Sequence, residues 1–594
     1  MNQKRDQKLS IFKAMRHTIP MVIRVIPFTA LLYAFIAVLH GSAFGLVAPI
    51  NQRLYDALAN VAIGQGYLRY VYIAAAMVTG TMLVQQILNA VHNFVGSNIM
   101  GQKASGRIHD ILHRKIQLHP AHTFEDKERL DDIEKAGSGA SSAVYMYGTS
   151  SDILFFYGAY FVVMGAFLWN MQPILLLALL LVFVPVILGQ IIEAKLFANL
   201  EEETAPIRRK YGHYLDCMVA KDKMKETRIF GAYYFFKRLY FDTFNLLLQK
   251  QWTVHKKNCA LSLLLNIVKA IGWVGILALL FRSLVQSNIS VGAFAAVFGS
   301  VGMMFSLTEE IFNRLKYDFA QNLGKIHNFI NVLEVQVEAK GTTEPDFPQG
   351  IHAVGLTFAY PKAEKNAVDG VSISLRHGEK LALVGENGSG KTTLVKLLSG
   401  LYKPSGGTVT IGGCDSTQTT DKALFARMSG VFQNYARYAI NLGDNVRIGA
   451  FASGNDPIPA MELADVDHKD ARTFPQGLET ILDRAFDGVE LSGGQWQRIA
   501  MARGLYRHHD FIILDEPTAA IDPLEETRIY EKFAELARNK MAILVTHRLG
   551  SARIADRIAV MDGGKIVEIG THESLLAKKG KYAEMWVAQA EGYG

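Results

Sequence analysis

The chain has 594 residues, with 62 Lys and Arg against 55 Asp and Glu, a net charge of +7, 50% hydrophobic residues and a mean hydropathy of +0.14. A soluble protein of this size sits at or below zero on that scale, so the composition points to membrane insertion and to more than one domain. The basic residues cluster in loops between apolar runs rather than on one stripe, which argues against a nucleic-acid partner; three cysteines, Cys217, Cys259 and Cys414, without metal-ligand spacing, argue against a disulfide scaffold or zinc site.

In chain order, a basic arm comes first, with Lys4, Arg5, Lys8, Lys13 and Arg16, running into an apolar stretch without a small-residue cleavage site, so no removed signal peptide is expected. Six stretches are then apolar enough to span a hydrocarbon layer of about 30 Å: near 27–50, 69–91, 153–169, 173–194, 260–285 and 290–314. The third and fourth are separated by a few residues around Pro173 and form a tight helical hairpin.

Lys and Arg accumulate after the second span (Lys103, Arg107, Arg114, Lys115, Lys127, Arg129, Lys135) and after the fourth (Arg208, Arg209, Lys210, Lys221, Lys223, Lys225, Arg228, Lys237, Arg238). Such loops stay cytoplasmic, which places the N-terminus and everything after Leu315 inside, where ATP is available. Both long inner connections keep a helical apolar pattern and read as cytosolic extensions of the spans. Each offers a docking helix for a second domain, near 121–136 and 217–232, with Phe124, Phe230 and Phe235 as anchors. Within the spans, Thr81, Gln85, Asn89 and His92 fall on one helical face, and Asn266, Lys269 and Trp273 on another. Polar groups in a span are costly unless they face protein or a wet cavity, so Gln85, Asn89, His92, Asn266 and Lys269 are the candidate lining of a substrate cavity. The competing reading is that Lys269 snorkels and the others join helices.

After linker-like residues 338–350, the pattern changes to short β-runs and Gly-containing turns. LVGENGSGKTTLVKLL from Leu383 is a strand, a glycine-rich loop and a helix. Gly385, Gly388 and Gly390 let successive backbone N–H groups face phosphates, together with Glu386, Asn387, Ser389 and Thr393 of the loop. Lys391 brings a point charge to the β- and γ-phosphates and Thr392 a hydroxyl for Mg2+. FIILDEPTAAID from Phe511 is a buried strand ending in Asp515, for the metal, and Glu516, to orient and deprotonate water. MAILVTH from Met541 ends in His547, placed to meet the γ-phosphate. LSGGQWQR opens a further helix at Leu491, with Ser492 as cap and Gly493 and Gly494 leaving N–H groups free for a phosphate. A second phosphate-binding helix start makes sense if it closes over a partner subunit's nucleotide.

These residues resemble the ATP-binding cassette (ABC) transporter family, in its order and over essentially the whole chain. Leu491, Ser492, Gly493, Gly494 and Gln495 form its signature. The resemblance implies that Tyr360 in FAYP stacks on adenine, that Gln433 in VFQN touches Mg2+ and contacts the membrane domain, that Asp522 occupies the D-loop, and that two cassettes sandwich two ATP molecules. Six spans fused to a C-terminal cassette look like the exporter branch, whose coupling helices match the two docking segments. One departure is Thr480-Ile-Leu-Asp-Arg-Ala-Phe-Asp-Gly488, which lacks the Gly-Glu pair found before the signature in many exporters. With GGQWQ it looks more like bacterial exporters of modified peptides. The chain enters the membrane near residue 27, leaving no room for the cysteine-peptidase domain of exporters that trim leader peptides.

The expected fold is therefore a multidomain membrane protein: an all-α six-helix transmembrane domain over 1–337, a linker over 338–350, and an α/β P-loop ATPase domain over 351–594. The expected function is ATP-driven export of a peptide, drug-like or other amphipathic molecule by alternating access, from a bacterial cell membrane, using ATP and Mg2+. The intact catalytic set favours a partner identical to this chain. A lipid or lipid-linked flippase with the same motor is the alternative, and an ATP-regulated protein that does not pump is less favoured.

Overall fold

The computed structural model describes residues 11–315, 322–335, 341–516 apart from 362, and 535–591 apart from 536. It divides into two compact units, Met1–Leu118 with Asp131–Val335, and His119–Leu130 with Gln336–Gly594. The short segment 119–130 thus packs with the second unit although its chain neighbours belong to the first.

The first unit is helical. Among its described residues six helical stretches are long and apolar enough to cross a membrane: Pro27–Ala62, Leu68–Gln117, Arg129–Met171, Pro173–Glu201, Tyr233–Val285 and Val291–Arg314. They are preceded by an amphipathic helix, Ile11–Val25, with no acidic residue. The hairpin between the third and fourth spans turns at Gln172, whose extended backbone (φ −160°) ends one helix while Pro173 opens the next with its φ already helical. The helices Pro173–Val219 and Tyr233–Val285 run 47 and 53 residues and pack along one another. At 1.5 Å per residue they are about 70 and 80 Å long, far more than a bilayer needs, so both extend well beyond it.

Two π-helical segments interrupt the second and third spans, Phe94–Gly101 and Asp152–Tyr157. A π-turn widens the helix locally and turns side chains that an α-helix would keep in register, and such turns gather at functional sites. The first and third spans meet closely at Gly41, where a Cβ would stand 2.0 Å from the carbonyl oxygen of Phe156. Only glycine permits that approach.

The second unit is an α/β domain with two sheets. Antiparallel strands β1 (Ile351–Phe358), β2 (Val368–Leu375), β4 (Gly406–Ile411) and β5 (Cys414–Asp415) form one, in the order β2-β1-β4-β5. The other is built on β3 (Lys380–Gly385), β6 (Met428–Val431), β7 (Phe511–Asp515), β8 (Met541–Val545), β9 (Arg557–Asp562) and β10 (Lys565–Gly570), in the order β10-β9-β3-β8-β7-β6. Five of these strands are parallel and β10 alone runs antiparallel. All of β7 and β8 is buried, as expected of strands covered on both faces. In parallel sheets the chain leaves each strand at the same edge, so the loops after β3, β6, β7 and β8 gather there, carrying the sequence motifs with them.

Candidate active site

The P-loop follows β3 and ends in the helix Lys391–Leu398. Gly390 caps that helix in the left-handed region (φ 100°), and a Cβ there would sit 2.3 Å from the Ala367 carbonyl oxygen. Lys391 is buried and its Nζ donates to the carbonyl oxygens of Gly385 and Glu386, both at 2.9 Å. Burial pushes its ammonium below the usual lysine range, with Glu516 and Asp515 pulling it back up. The Thr392 hydroxyl donates to Asp515 Oδ1 at 3.1 Å. Asp515, closing β7, is 1% exposed, and desolvation pushes its carboxyl up to about 6.

Glu516 follows with a left-handed backbone (φ 46°), unusual for a residue with a side chain and a mark of strain held by its surroundings. Its backbone N–H donates to the Val545 carbonyl oxygen at 3.1 Å, its Oε2 accepts from Gln433 Nε2 at 2.9 Å, and its Oε1 lies 3.7 Å from His547 Nδ1. The Tyr360 hydroxyl and Thr393 Oγ1 are 3.0 Å apart, which sets the aromatic ring beside the P-loop helix. Asp522 lies outside the described residues.

These groups fit a magnesium nucleotide on two counts. Ser389 Oγ is buried within the loop and has no protein hydrogen-bond partner, which suits a phosphate oxygen. The neighbouring Thr392 hydroxyl and Asp515 carboxylate are the hard oxygen donors that Mg2+ selects.

The signature segment forms a capping box. Ser492 Oγ accepts from the Gln495 N–H at 3.3 Å, Gln495 Oε1 accepts from the Ser492 N–H at 2.9 Å, and the helix Gly493–Tyr506 follows. Leu491 is buried beneath it, the Tyr435 hydroxyl donates to the Gly493 carbonyl at 2.8 Å, and Gly494 opens onto free space.

Of the two segments expected to dock a second domain, the first is a 3-10 turn, Ala121–Glu125, rather than one continuous helix from Ala121. Asp126 is extended (ψ 107°) and the α-helix starts at Lys127. Glu125 accepts from the Tyr402 hydroxyl and lies 3.3 Å from Lys396 Nζ; the Tyr402 bond is the main cause holding its carboxyl below the usual range. Tyr402 is 2% exposed and its ring packs on Phe358 and Tyr360, which ties the turn to the P-loop helix and to these two aromatic rings. In the second segment the helix Lys221–Ile229 ends beside Gly231 (φ 60°), leaving Ile229, Phe230 and Tyr234 between 76 and 81% exposed.

Within the membrane unit, a cavity of about 900 Å3 is lined by Asn89 and His92, and a smaller one of about 360 Å3 by Gln85. Asn266 and Lys269 line neither; Asn266 is exposed, and Lys269 pairs with Glu309 at 2.6 Å. The larger cavity carries a network absent from the sequence reading. Asp152 accepts from the Tyr33 hydroxyl at 2.5 Å and from Arg314 at 3.1 Å and lies 3.3 Å from His92 Nε2, while the Nδ1 atoms of His40 and His92 are 3.2 Å apart. An ionisable residue at the edge of an apolar run, Asp152, and a histidine inside one, His40, were the available signals.

Residues 368–519 match the family described as "ABC transporter". The chain is 30% identical over 379 residues to the subtilin transport ATP-binding protein SpaT of Bacillus subtilis, covering 63% of this chain and 62% of that protein. It is 32% identical over 315 residues to an ATP-dependent lipid A-core flippase of Haemophilus ducreyi, covering 52% and 53% respectively. The chain therefore spans about three fifths and about half of the length of these relatives. A solved bacterial Atm1-family ABC exporter with ATP bound has the same fold, with a TM-score of 0.75 at 22% identity, covering 96% of this chain and 99% of that one.

Proposed function

We propose that this chain, whose second unit carries an ABC transporter ATPase domain and which has the fold of an ABC exporter throughout, is one half of an ATP-driven exporter. The observation that carries the proposal is the convergence of Lys391, Thr392, Asp515, Glu516, Gln433 and His547 on one sheet edge of a chain with six spans. In this reading the P-loop and Lys391 hold the ATP phosphates, and Tyr360 stacks on adenine. Glu516 takes the proton of the attacking water, Gln433 orients the Glu516 carboxylate, and His547 contacts the γ-phosphate from the other side. Thr392, Asp515 and Gln433 would hold Mg2+, which would supply charge neutralisation at the phosphates.

The partner is a second copy of the chain. An open Gly494 beside the helix cap Ser492 suits a phosphate bound by the other subunit, with Gly493 and Gln495 next to it and the buried Leu491 supporting the segment from beneath. The exposed Ile229, Phe230 and Tyr234 suit burial against the partner's cassette. ATP closes the two cassettes, the segments near 121–136 and 217–232 carry the closure to the spans, and hydrolysis reopens them. The domains are 1–337, 338–350 and 351–594, and the chain resides in a bacterial cell membrane with its N-terminus and cassette in the cytoplasm.

The cargo enters the cavity of Asn89 and His92. That wall is rich in amide and hydroxyl side chains, including Asn93, Ser97, Asn98 and Gln102, which favours a peptide or other hydrogen-bonding amphipathic molecule. The likeness to a lipid A-core flippase keeps a lipid-linked cargo as the second reading. The test is ATP-dependent uptake into inverted vesicles or proteoliposomes, comparing the intact chain with Glu516→Gln against peptides, drugs and lipids. Concentrative uptake lost in the variant supports export and names the cargo class; strong ATPase activity without concentrative uptake of any cargo contradicts it.

A further inference from the structure

The C-terminal helix, Lys581–Glu591, touches both sides of the nucleotide site. Its Gln589 side chain accepts from the Leu549 N–H at 2.9 Å and donates through Nε2 to the His547 carbonyl oxygen. One amide therefore holds the backbone on both sides of Arg548, as a neighbouring strand would. At the other end, Lys581 Nζ pairs with Asp562 at 2.7 Å and lies 3.6 Å from Glu386 of the P-loop. Glu568 accepts from the backbone N–H groups of Lys581 and Tyr582 at 2.7 and 3.2 Å, which fixes the start of the helix. Tyr582 is fully buried in a cluster with Ala382 and Val384 of β3 and with Leu549 and Ala552 beyond the histidine. The helix is thus anchored to the strand that feeds the P-loop and reaches across to the loop after β8.

We propose that Gln589 is a positioning residue for His547, and that the C-terminal helix sets the register between the P-loop and the histidine loop. The inference rests on the reading of His547 as a γ-phosphate contact. Among the described residues Thr546 Oγ1 bonds to the Arg548 N–H and carbonyl at 3.0 and 3.2 Å, a contact within the loop itself, while the His547 imidazole is 47% exposed and 3.7 Å from Glu516. With its carbonyl fixed by Gln589, His547 has one backbone position from which to present its ring. Without it, the ring samples a wider arc and the hydrolysis-ready arrangement is rarer, whereas nucleotide affinity, set by the P-loop and Tyr360, changes little.

The test measures ATP hydrolysis by the full chain in proteoliposomes for Gln589→Met, Gln589→Glu, His547→Ala and the double variant His547→Ala/Gln589→Met. Methionine keeps the volume and removes both hydrogen bonds; glutamate keeps the acceptor for Leu549 but cannot donate to the His547 carbonyl. Each Gln589 variant is expected to lower kcat about five- to tenfold with KM for ATP within about twofold, the size of one or two lost backbone hydrogen bonds. The double variant is expected to be no slower than His547→Ala, because Gln589 acts only through that residue. A Gln589→Met loss that persists in full on the His547→Ala background, or a change confined to KM, overturns the proposal. Normal kcat in both Gln589 variants beside a slow His547→Ala overturns it alone, whereas wild-type hydrolysis by His547→Ala overturns the reading of the histidine on which it rests.

Discussion

Gln433 donates its side-chain amide to Glu516 Oε2 at 2.9 Å, joining residues 83 positions apart at the ends of neighbouring strands. His547 lies 3.7 Å from the other oxygen of the same carboxylate. Glu516 is therefore held from both sides on a backbone that only surrounding contacts keep in the left-handed region. A carboxylate so constrained has its lone pairs fixed in direction, which is what a base needs in order to meet one particular water.

Replacing that carboxylate isolates its role. Glu516→Gln preserves the shape and still accepts from Gln433, but it cannot take a proton. ATP hydrolysis by the variant is expected to fall by about 100-fold or more, with nucleotide affinity within a few-fold of the parent. Steady-state turnover beside equilibrium binding of a fluorescent ATP analogue reads both quantities, and hydrolysis within a few-fold of the parent would remove Glu516 as the base.

The membrane unit has its own sensitive point. A methyl group on Gly41 would lie 2.0 Å from the Phe156 carbonyl oxygen, and helix backbones cannot yield by a fraction of an ångström there. Gly41→Ala is expected to push the first and third spans apart and to cost about 2 kcal/mol or more. Gly80, which has open space around it, serves as the comparison. Thermal midpoints in detergent are expected to fall for Gly41→Ala and stay near the parent for Gly80→Ala.

Histidine 509 gives the cassette a pH dependence of defined sign. It is 4% exposed, its Nδ1 lies 2.6 Å from the Arg507 carbonyl, and burial lowers its pKa from 6.5 to about 4. The unfolded chain takes up the proton near 6.5 and the folded chain only near 4, so the folded state loses ground as pH falls through that window and is unaffected above it. The full effect is about 3 kcal/mol at pH 4. The thermal midpoint of the parent is expected to fall more steeply between pH 6.5 and 5 than that of His509→Asn, and parallel slopes would assign the acid sensitivity to other groups.

The parts of the fold that local chemistry dictates were readable in advance. Apolar runs long enough to span lipid, Pro173 at the hairpin and the glycines of the P-loop each have one cheap structural solution, and all six spans and the parallel sheet follow from them. Residues that act across long sequence separations left no comparable trace. Asp152 meets Arg314 across 162 positions, and Gln589 meets Leu549 across 40. A carboxylate or an amide on a helix carries no periodic signal of its partner. That Gln85, Asn89 and His92 share one helical face could be read because helical spacing is local; that Gln85 lines a different cavity from the other two could not. That Lys269 would spend its charge on Glu309, 40 residues away, could not be read either.

The contact of Glu125 with Tyr402 offers a way to separate hydrolysis from movement. The 119–130 turn packs with the cassette, and its polar anchorage there includes Glu125, which accepts from the Tyr402 hydroxyl and faces Lys396 of the P-loop helix. Tyr402 packs in turn on Tyr360, which places the turn one ring away from the aromatic proposed to stack on adenine. Tyr402→Phe removes the hydroxyl and keeps the buried ring, and Glu125→Gln removes the charge and keeps an acceptor. Because neither residue touches the reacting phosphate, basal ATPase is expected to stay within about threefold in Tyr402→Phe, while uptake per ATP hydrolysed falls about fivefold or more. Glu125→Gln is expected to be milder, since its amide oxygen still accepts from Tyr402 and only the Lys396 attraction is lost. Paired ATPase and uptake assays on the same proteoliposomes read the ratio. If Tyr402→Phe lowers both activities in proportion, the tyrosine supports the P-loop helix alone, and closure must reach the spans through other contacts.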